Sequence, residues 1–376
     1  MKKHRFQNWV GYVIWLLPFA GLLLAWLYLA IFGLHRRLES STGAHLRDLG
    51  AVEELTVFRQ TAVPEDLAKI DDAISSTDSL AWGSVSSLTL IVLLASALVA
   101  GYVIWKAPAD IKNSLRWICA IILTLIALVT IPILDYRMGF LARQIVMTTK
   151  LVGVIQSHLN AGGSLSVNNI ETFFLEAGYG AALSLVVASG LTLLRSRELI
   201  ETGMTGKKLT AETIDKSAHY TAMQIKHQRA ILYAGALLLV IITFRQNVTL
   251  RWALDYLQPP AHLEKSPGFG LAKFLFQRLE ILVSSIVMGT GVLNTLLLAG
   301  LYVPAALVLQ RRAIRLSRLA VAPEKGARDA PISKEQTEWM ERHGLDFPLR
   351  DQLPKVAAIL SPLLAGPMGQ LLSFLK

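Results

Sequence analysis

The stretch LTAETIDKSAHYTAMQIKHQRAILYAGALLLVIITFRQ, residues 209–246, sets a charged half directly against an apolar one. Thr210 is a fitting N-cap, and Glu212 lies in the first turn, where the positive end of the helix dipole favours an acid. The charged half therefore predicts a helix that runs without a break into the apolar half. The uninterrupted apolar core covers only Ala230–Phe244. At a rise of about 1.5 Å per residue it falls short of a hydrocarbon layer of ~30 Å. Gln228 and Gln246 are then expected near the interfaces, with Arg229 and Arg245 reaching outward along their apolar stems.

Composition extends that reading to the whole chain. Hydrophobic residues make up 53% and charged residues 17%, with a mean hydropathy of +0.46. Soluble domains carry nearer a quarter charged residues, so the chain reads as an integral membrane protein. Six apolar runs stand out, at about 9–34, 83–105, 115–134, 173–194, 229–246 and 281–309. The first follows a basic start but is too long for a cleaved signal, and it reads as an uncleaved span. Trp9, Trp82, Trp105 and Trp117 fall where headgroups are expected. With both termini inside, about two thirds of the 37 Lys and Arg lie on the inner segments, as the positive-inside rule requires.

The predicted fold is an all-α bundle of six transmembrane helices in three hairpins, with N- and C-termini cytoplasmic and a helical C-terminal appendage. Residues 1–310 form the transmembrane domain, 311–331 a basic juxtamembrane segment and linker, and 332–376 a cytoplasmic helical tail. The net charge of +10 is then drawn to anionic headgroups on the cytoplasmic side. No basic-aromatic motif calls for nucleic acid. The clean charge rule and compact loops place the chain in a prokaryotic inner membrane. Asn247-Val-Thr249 is a glycosylation sequon on the outer side, which leaves a eukaryotic membrane open.

The outer loops carry local signals of their own. VPEDLAKIDDAISSTDSL (63–80) starts at a proline followed by two acids, and Leu67, Ile70 and Ile74 share one face. It predicts a loop helix that docks on something. FLARQIVMTTKLVGVIQSHL (140–159) precedes a break at Asn160-Ala-Gly-Gly163, and QPP (258–260) and SPGFG (266–270) signal turns.

Motifs for chemistry are scarce. GMTGKKLT (203–210) has the wrong glycine spacing for a phosphate loop, and Lys208 stands where a Ser or Thr is needed for magnesium. GTGVLN (289–294) and GYGAAL (178–183) lack the third glycine of a dinucleotide fingerprint. The one cysteine, Cys119, excludes an intrachain disulfide. No catalytic, cofactor or metal residues are assigned, and enzymatic activity is disfavoured. Asp135, Arg137, Glu176 and Arg245 sit at one outer level, as a functional ionic cluster or as ordinary helix-end charges.

Small residues recur at four-residue spacing: Gly180, Ser184 and Ala188; Ser96 with Ala100; Ala97 with Gly101; Ser285 with Gly289; Gly291, Thr295 and Ala299. Such ladders let helices approach closely, within the bundle or between subunits. Asn294, in mid-span, needs a partner or a wet cavity, and is read as structural glue. Pro304 is expected to kink the inner end of the sixth span.

In the tail, ISKEQTEWMERHG (332–344) predicts a short helix with Ser333 as N-cap, Gln336 completing a capping box and Gly344 ending it. Leu349, Leu353, Val356, Leu360 and Leu363 then form a two-heptad seam, broken at Gly366-Pro367. The seam is suited to packing on this protein, a neighbouring subunit or the bilayer surface. The apolar run 356–375 accordingly joins two amphipathic pieces docked on the cytoplasmic face or dipping into the bilayer.

Three functions fit this pattern. First is a non-enzymatic, oligomeric channel or pore-type membrane effector, a homo-oligomer. Second is a sensor or scaffold subunit that couples the outer loops to a soluble cytoplasmic partner. Third is a transporter component, which the lack of a mid-span carboxylate weighs against in its proton-coupled form.

Overall fold

A computed structural model describes residues 50–58, 65–106, 151, 167–193, 211–259, 264–265, 267–321, 332–345 and 354–364. The expected spans 9–34 and 115–134 lie outside the described residues, as do Asp135 and Arg137. So do the phosphate-loop-like stretch 203–210 and most of 140–159. Every described element is a helix and none is a strand. We label them α1 (50–58), α2 (Glu65–Lys106), α3 (Val167–Leu193), α4 (Ala211–Leu257), α5 (Phe269–Val321), α6 (Lys334–Arg342) and α7 (Pro354–Leu364).

Over 211–246, the described part of the 209–246 stretch, the expected continuity is met and exceeded. α4 has 47 residues and α5 has 53, or roughly 70 and 80 Å at 1.5 Å per residue. Residues 65–80 of the stretch expected as a separate loop helix instead begin α2, a single helix of 42 residues. Three helices are long and apolar enough to cross a membrane: Leu80–Lys106 within α2, α4 and α5. The fourth expected span is helical as α3, whose apolar part is Gly180–Leu193. α5 runs through Pro304, at the cost of one backbone hydrogen bond.

Cross-helix pairs fix the directions. Ser96 faces Ala234 while Ser86 faces Arg245, so α2 is antiparallel to α4. Gly178 meets Ile242 while Ser189 meets Gln228, so α3 is antiparallel to α4 as well. Asn294 meets Thr243 and Arg312 meets Gln224, making α4 and α5 one long hairpin. α2, α3 and α5 therefore run one way and α4 the other. The hairpin turn uses Gly268 at φ 89, in the left-handed region that glycine enters without strain. An added Cβ there would lie 3.8 Å from the Phe58 ring.

The core is divided along the hairpin. At the turn end, Ala51, Val52 and Leu55 of α1 and Leu151 pack on Leu250, Leu254 and Leu257 of α4 and Leu279 and Val283 of α5. Mid-length, Val92 and Ala100 of α2 meet Leu185 and Ala188 of α3 and Ile231 and Leu238 of α4. At the far end, Leu193, Ile214, Ala218 and Ile225 meet Leu309 and Ala313, with Trp339, Met340 and Leu345 from the tail.

The tail is thus packed into the bundle. α6 has the expected capping box, with Ser333 and Gln336 bonding each other's backbone amides. It ends in a paired turn: Leu345 N donates to Met340 O at 2.8 Å and Gly344 N to Glu341 O at 3.0 Å. Gly344 stands at φ 66, the left-handed stop that its sequence position predicts. The matching apolar contact is Leu345 beside Met340, both in the far-end core.

Candidate functional site

The most developed polar site lies at the far end, where four buried polar residues follow one face of α4. Ser217, Thr221, Gln224 and Gln228 are spaced 4, 3 and 4 apart, which keeps them in a single row. The two hydroxyls are satisfied within the helix, Ser217 Oγ donating to Thr213 O and Thr221 Oγ1 to Ser217 O. The two amides reach outward. Gln228 Nε2 donates to Ser189 Oγ at 2.8 Å, and its Oε1 accepts from Thr192 Oγ1 at 2.8 Å. Gln224 Oε1 accepts from Arg312 Nη1 at 3.3 Å.

Arg312 is the centre of this layer. It comes from α5 with only 9% of its surface exposed. Its other terminal nitrogen donates to the carbonyl of Leu193. Leu193 is the last described residue of α3, so this bond ties the α3 backbone to the hairpin. Beside the layer, Thr192, Gln224, His227, Tyr220 and Lys106 border a cavity of about 10 Å³, room for about one water. It has no space for an organic substrate.

A second polar layer lies toward the turn end. Arg245 is 5% exposed and donates from Nε to Ser86 Oγ at 3.3 Å. Its guanidinium lies 3.8 Å from the Phe174 ring centre and 5.9 Å from that of Trp82, which face the cation with their negative π clouds. Trp82 in turn packs on Trp252 at 6.0 Å. Two residues before Arg245, Thr243 Oγ1 accepts from Asn294 Nδ2 at 2.9 Å. Asn294 joins α4 to α5, the glue expected of it.

The sequence-derived candidates fall in different places. Of the outer cluster, Asp135 and Arg137 lie outside the described residues, as does the Glu176 side chain on α3. Arg245 is seated among Ser86, Phe174 and Trp82. Of the small-residue candidates, Ala188 is fully buried and Gly291 is buried, while Ser184 and Gly289 are half-buried. An added Cβ at Gly180 would meet nothing within 4 Å. The close approach is made two residues away, where a Cβ on Gly178 would lie 3.1 Å from Ile242 Cδ1. In the tail seam, Val356 and Leu360 are exposed and Leu363 is half-buried, while Leu349 and Leu353 lie outside the described residues.

Arg312, Gln224 and Ser189 were absent from the sequence-derived candidates. The polar row 217–221–224–228 was the available signal, since polar residues at heptad spacing in a bundle helix mark a buried seam. Among the described residues no group of three His, Cys, Asp or Glu could hold a metal ion. No family model matches the chain, and neither a curated protein nor a solved structure is significantly similar to it.

Proposed function

We propose that this protein is a non-enzymatic membrane scaffold that couples its two aqueous faces through the α4–α5 hairpin. One observation carries the reading: α4 and α5 are unbroken over 47 and 53 residues, more than twice what a ~30 Å hydrocarbon layer requires. Both ends of the hairpin project into water and hold their own apolar core. Water exclusion stabilises those end cores, whereas close packing and hydrogen bonds join the helices in between. The outer core gathers α1 and Leu151, and the inner core gathers α6, so both faces bear on the same two helices.

The full topology belongs to the same proposal. Six spans in three hairpins, with both termini cytoplasmic, agree with the observed directions of α2, α3, α4 and α5, the sequence-derived span 115–134 supplying the return between α2 and α3. The Lys and Arg distribution supports a prokaryotic inner membrane with anionic headgroups on the α6 side. The α6 surface is the place for a soluble partner.

Coupling is tested by loosening one end and reading the other. Leu254→Ala opens a cavity in the turn-end core, where Leu254 is 1% exposed. Amide hydrogen exchange in 334–345 then rises if the hairpin transmits the change. Exchange that rises only around 250–257 and 272–287 defeats the proposal.

An oligomeric pore is a second reading, supported by one surface of α2. Ala97 and Gly101 are exposed there beside Leu94 and Leu98, leaving room for a second copy to approach closely. Cross-linking into a defined oligomer, together with ion flux in liposomes, supports it; a monomer without conductance eliminates it.

A further inference from the structure

α7 packs where a cytoplasmic tail helix should not reach. A Cβ placed on Gly291 would lie 2.8 Å from Pro362 O and 3.3 Å from Leu363 Cα. These are backbone atoms, so the glycine is required for the contact to exist. Gly291 stands ten residues inside the charge-free run 281–309 of α5, about 15 Å along the helix and so near the middle of a bilayer. One turn earlier in α7, Ala358 and Ile359 pack on Leu298 and Tyr302 of α5 and Leu232 and Ala236 of α4. α7 therefore descends alongside α5, from the level of Tyr302 to that of Gly291.

The two sides of α7 differ accordingly. Lys355 and Pro362 are buried, and Ala358, Ile359 and Leu363 are half-buried, all toward the hairpin. Val356, Leu360 and Leu364 repeat every four residues and are 50, 42 and 58% exposed. In water that stripe would leave three large apolar side chains solvated, which the hydrophobic effect opposes. Against acyl chains it is matched to its surroundings. Ser361, the one hydroxyl in this stretch, donates to Ala358 O at 2.7 Å, which satisfies it without water.

We propose that α7 is an intramembrane half-helix: it is seated on Gly291 through the backbone at Pro362 and Leu363, and its Val356–Leu360–Leu364 stripe contacts lipid acyl chains. The proposal rests on the reading that α5 crosses the bilayer, and the test separates the two. In a Cys119→Ser background of the full chain in liposomes, single cysteines replace Leu364, Met288 or Lys334. Met288 is an exposed residue on the apolar part of α5, and Lys334 is an open surface site. A water-soluble maleimide, supplied to both faces, labels 334 and shows loss of labelling at 288 and 364. Adding Gly291→Leu unseats α7 and restores labelling at 364 while 288 stays protected. Full labelling at 364 with 288 protected overturns the half-helix alone. Full labelling at 288 as well overturns the spanning role of α5 and the half-helix with it. If Gly291→Leu does not fold, the parent chain's three positions decide the matter.

Discussion

Arg245 and Arg312 are both buried, yet their surroundings solve the same problem by different means. Arg312 meets oxygen acceptors, the Gln224 amide and the Leu193 carbonyl of α3. Arg245 meets two aromatic faces and one hydroxyl. An acceptor that loses a buried donor is left unsatisfied at about 1–3 kcal/mol. An aromatic ring that loses its cation reverts to an ordinary apolar surface. The difference separates a residue bonded to oxygens on two other helices from one seated against aromatic faces.

Four substitutions break or sharpen that contrast. The largest effect is expected from Arg312→Met, which strips donors from Gln224 and from Leu193 O and lowers stability by about 3 kcal/mol. Denaturant unfolding in detergent measures it, and Gln224→Leu added to Arg312→Met should recover part of the loss. Arg245→Met forfeits a cation–π contribution of up to about 2 kcal/mol but also removes a buried charge. Its loss should be smaller than that of Arg312→Met by the same assay. Equal losses from the two arginines would erase the distinction. Asn294→Leu removes one interhelical hydrogen bond to Thr243 and should cost about 0.6 kcal/mol, the usual scale between membrane helices. No loss of stability is expected from Gly180→Ala, where the added Cβ meets open space and alanine is the better helix former.

What the sequence revealed was local. The polar-to-apolar continuity of 211–246, the capping box at Ser333 and Gln336, and the stop at Gly344 depend on residues a few positions apart, and all are found as expected. Asn294 was legible because an amide in mid-span must be bonded somewhere. Arg312 was not, because its acceptor Leu193 O lies 119 positions away and a basic residue after a span reads as a headgroup anchor. The tail seam left its partner open for a different physical reason. Heptad spacing tells which residues share a face, but beside a bilayer the most apolar face need not be the packed one. Lipid takes large side chains as readily as protein does, and close packing selects small ones. Val356 and Leu360 are exposed while Ala358, Ile359 and Pro362 touch the hairpin, with a glycine, Gly291, as the small residue at the closest approach. Helix lengths were underestimated for a related reason. Hydropathy marks the stretch that enters the membrane, whereas the helix continues wherever its ends find a core.

The central claim is that one hairpin crosses the membrane and anchors a core on each side. In sealed, uniformly oriented vesicles of the Cys119→Ser chain, single cysteines at Lys265, in the turn, and Lys334, at the start of α6, report it directly. The account predicts that an impermeant maleimide labels one of them from outside and the other only after the vesicles are opened. Labelling of both from the same side would contradict it.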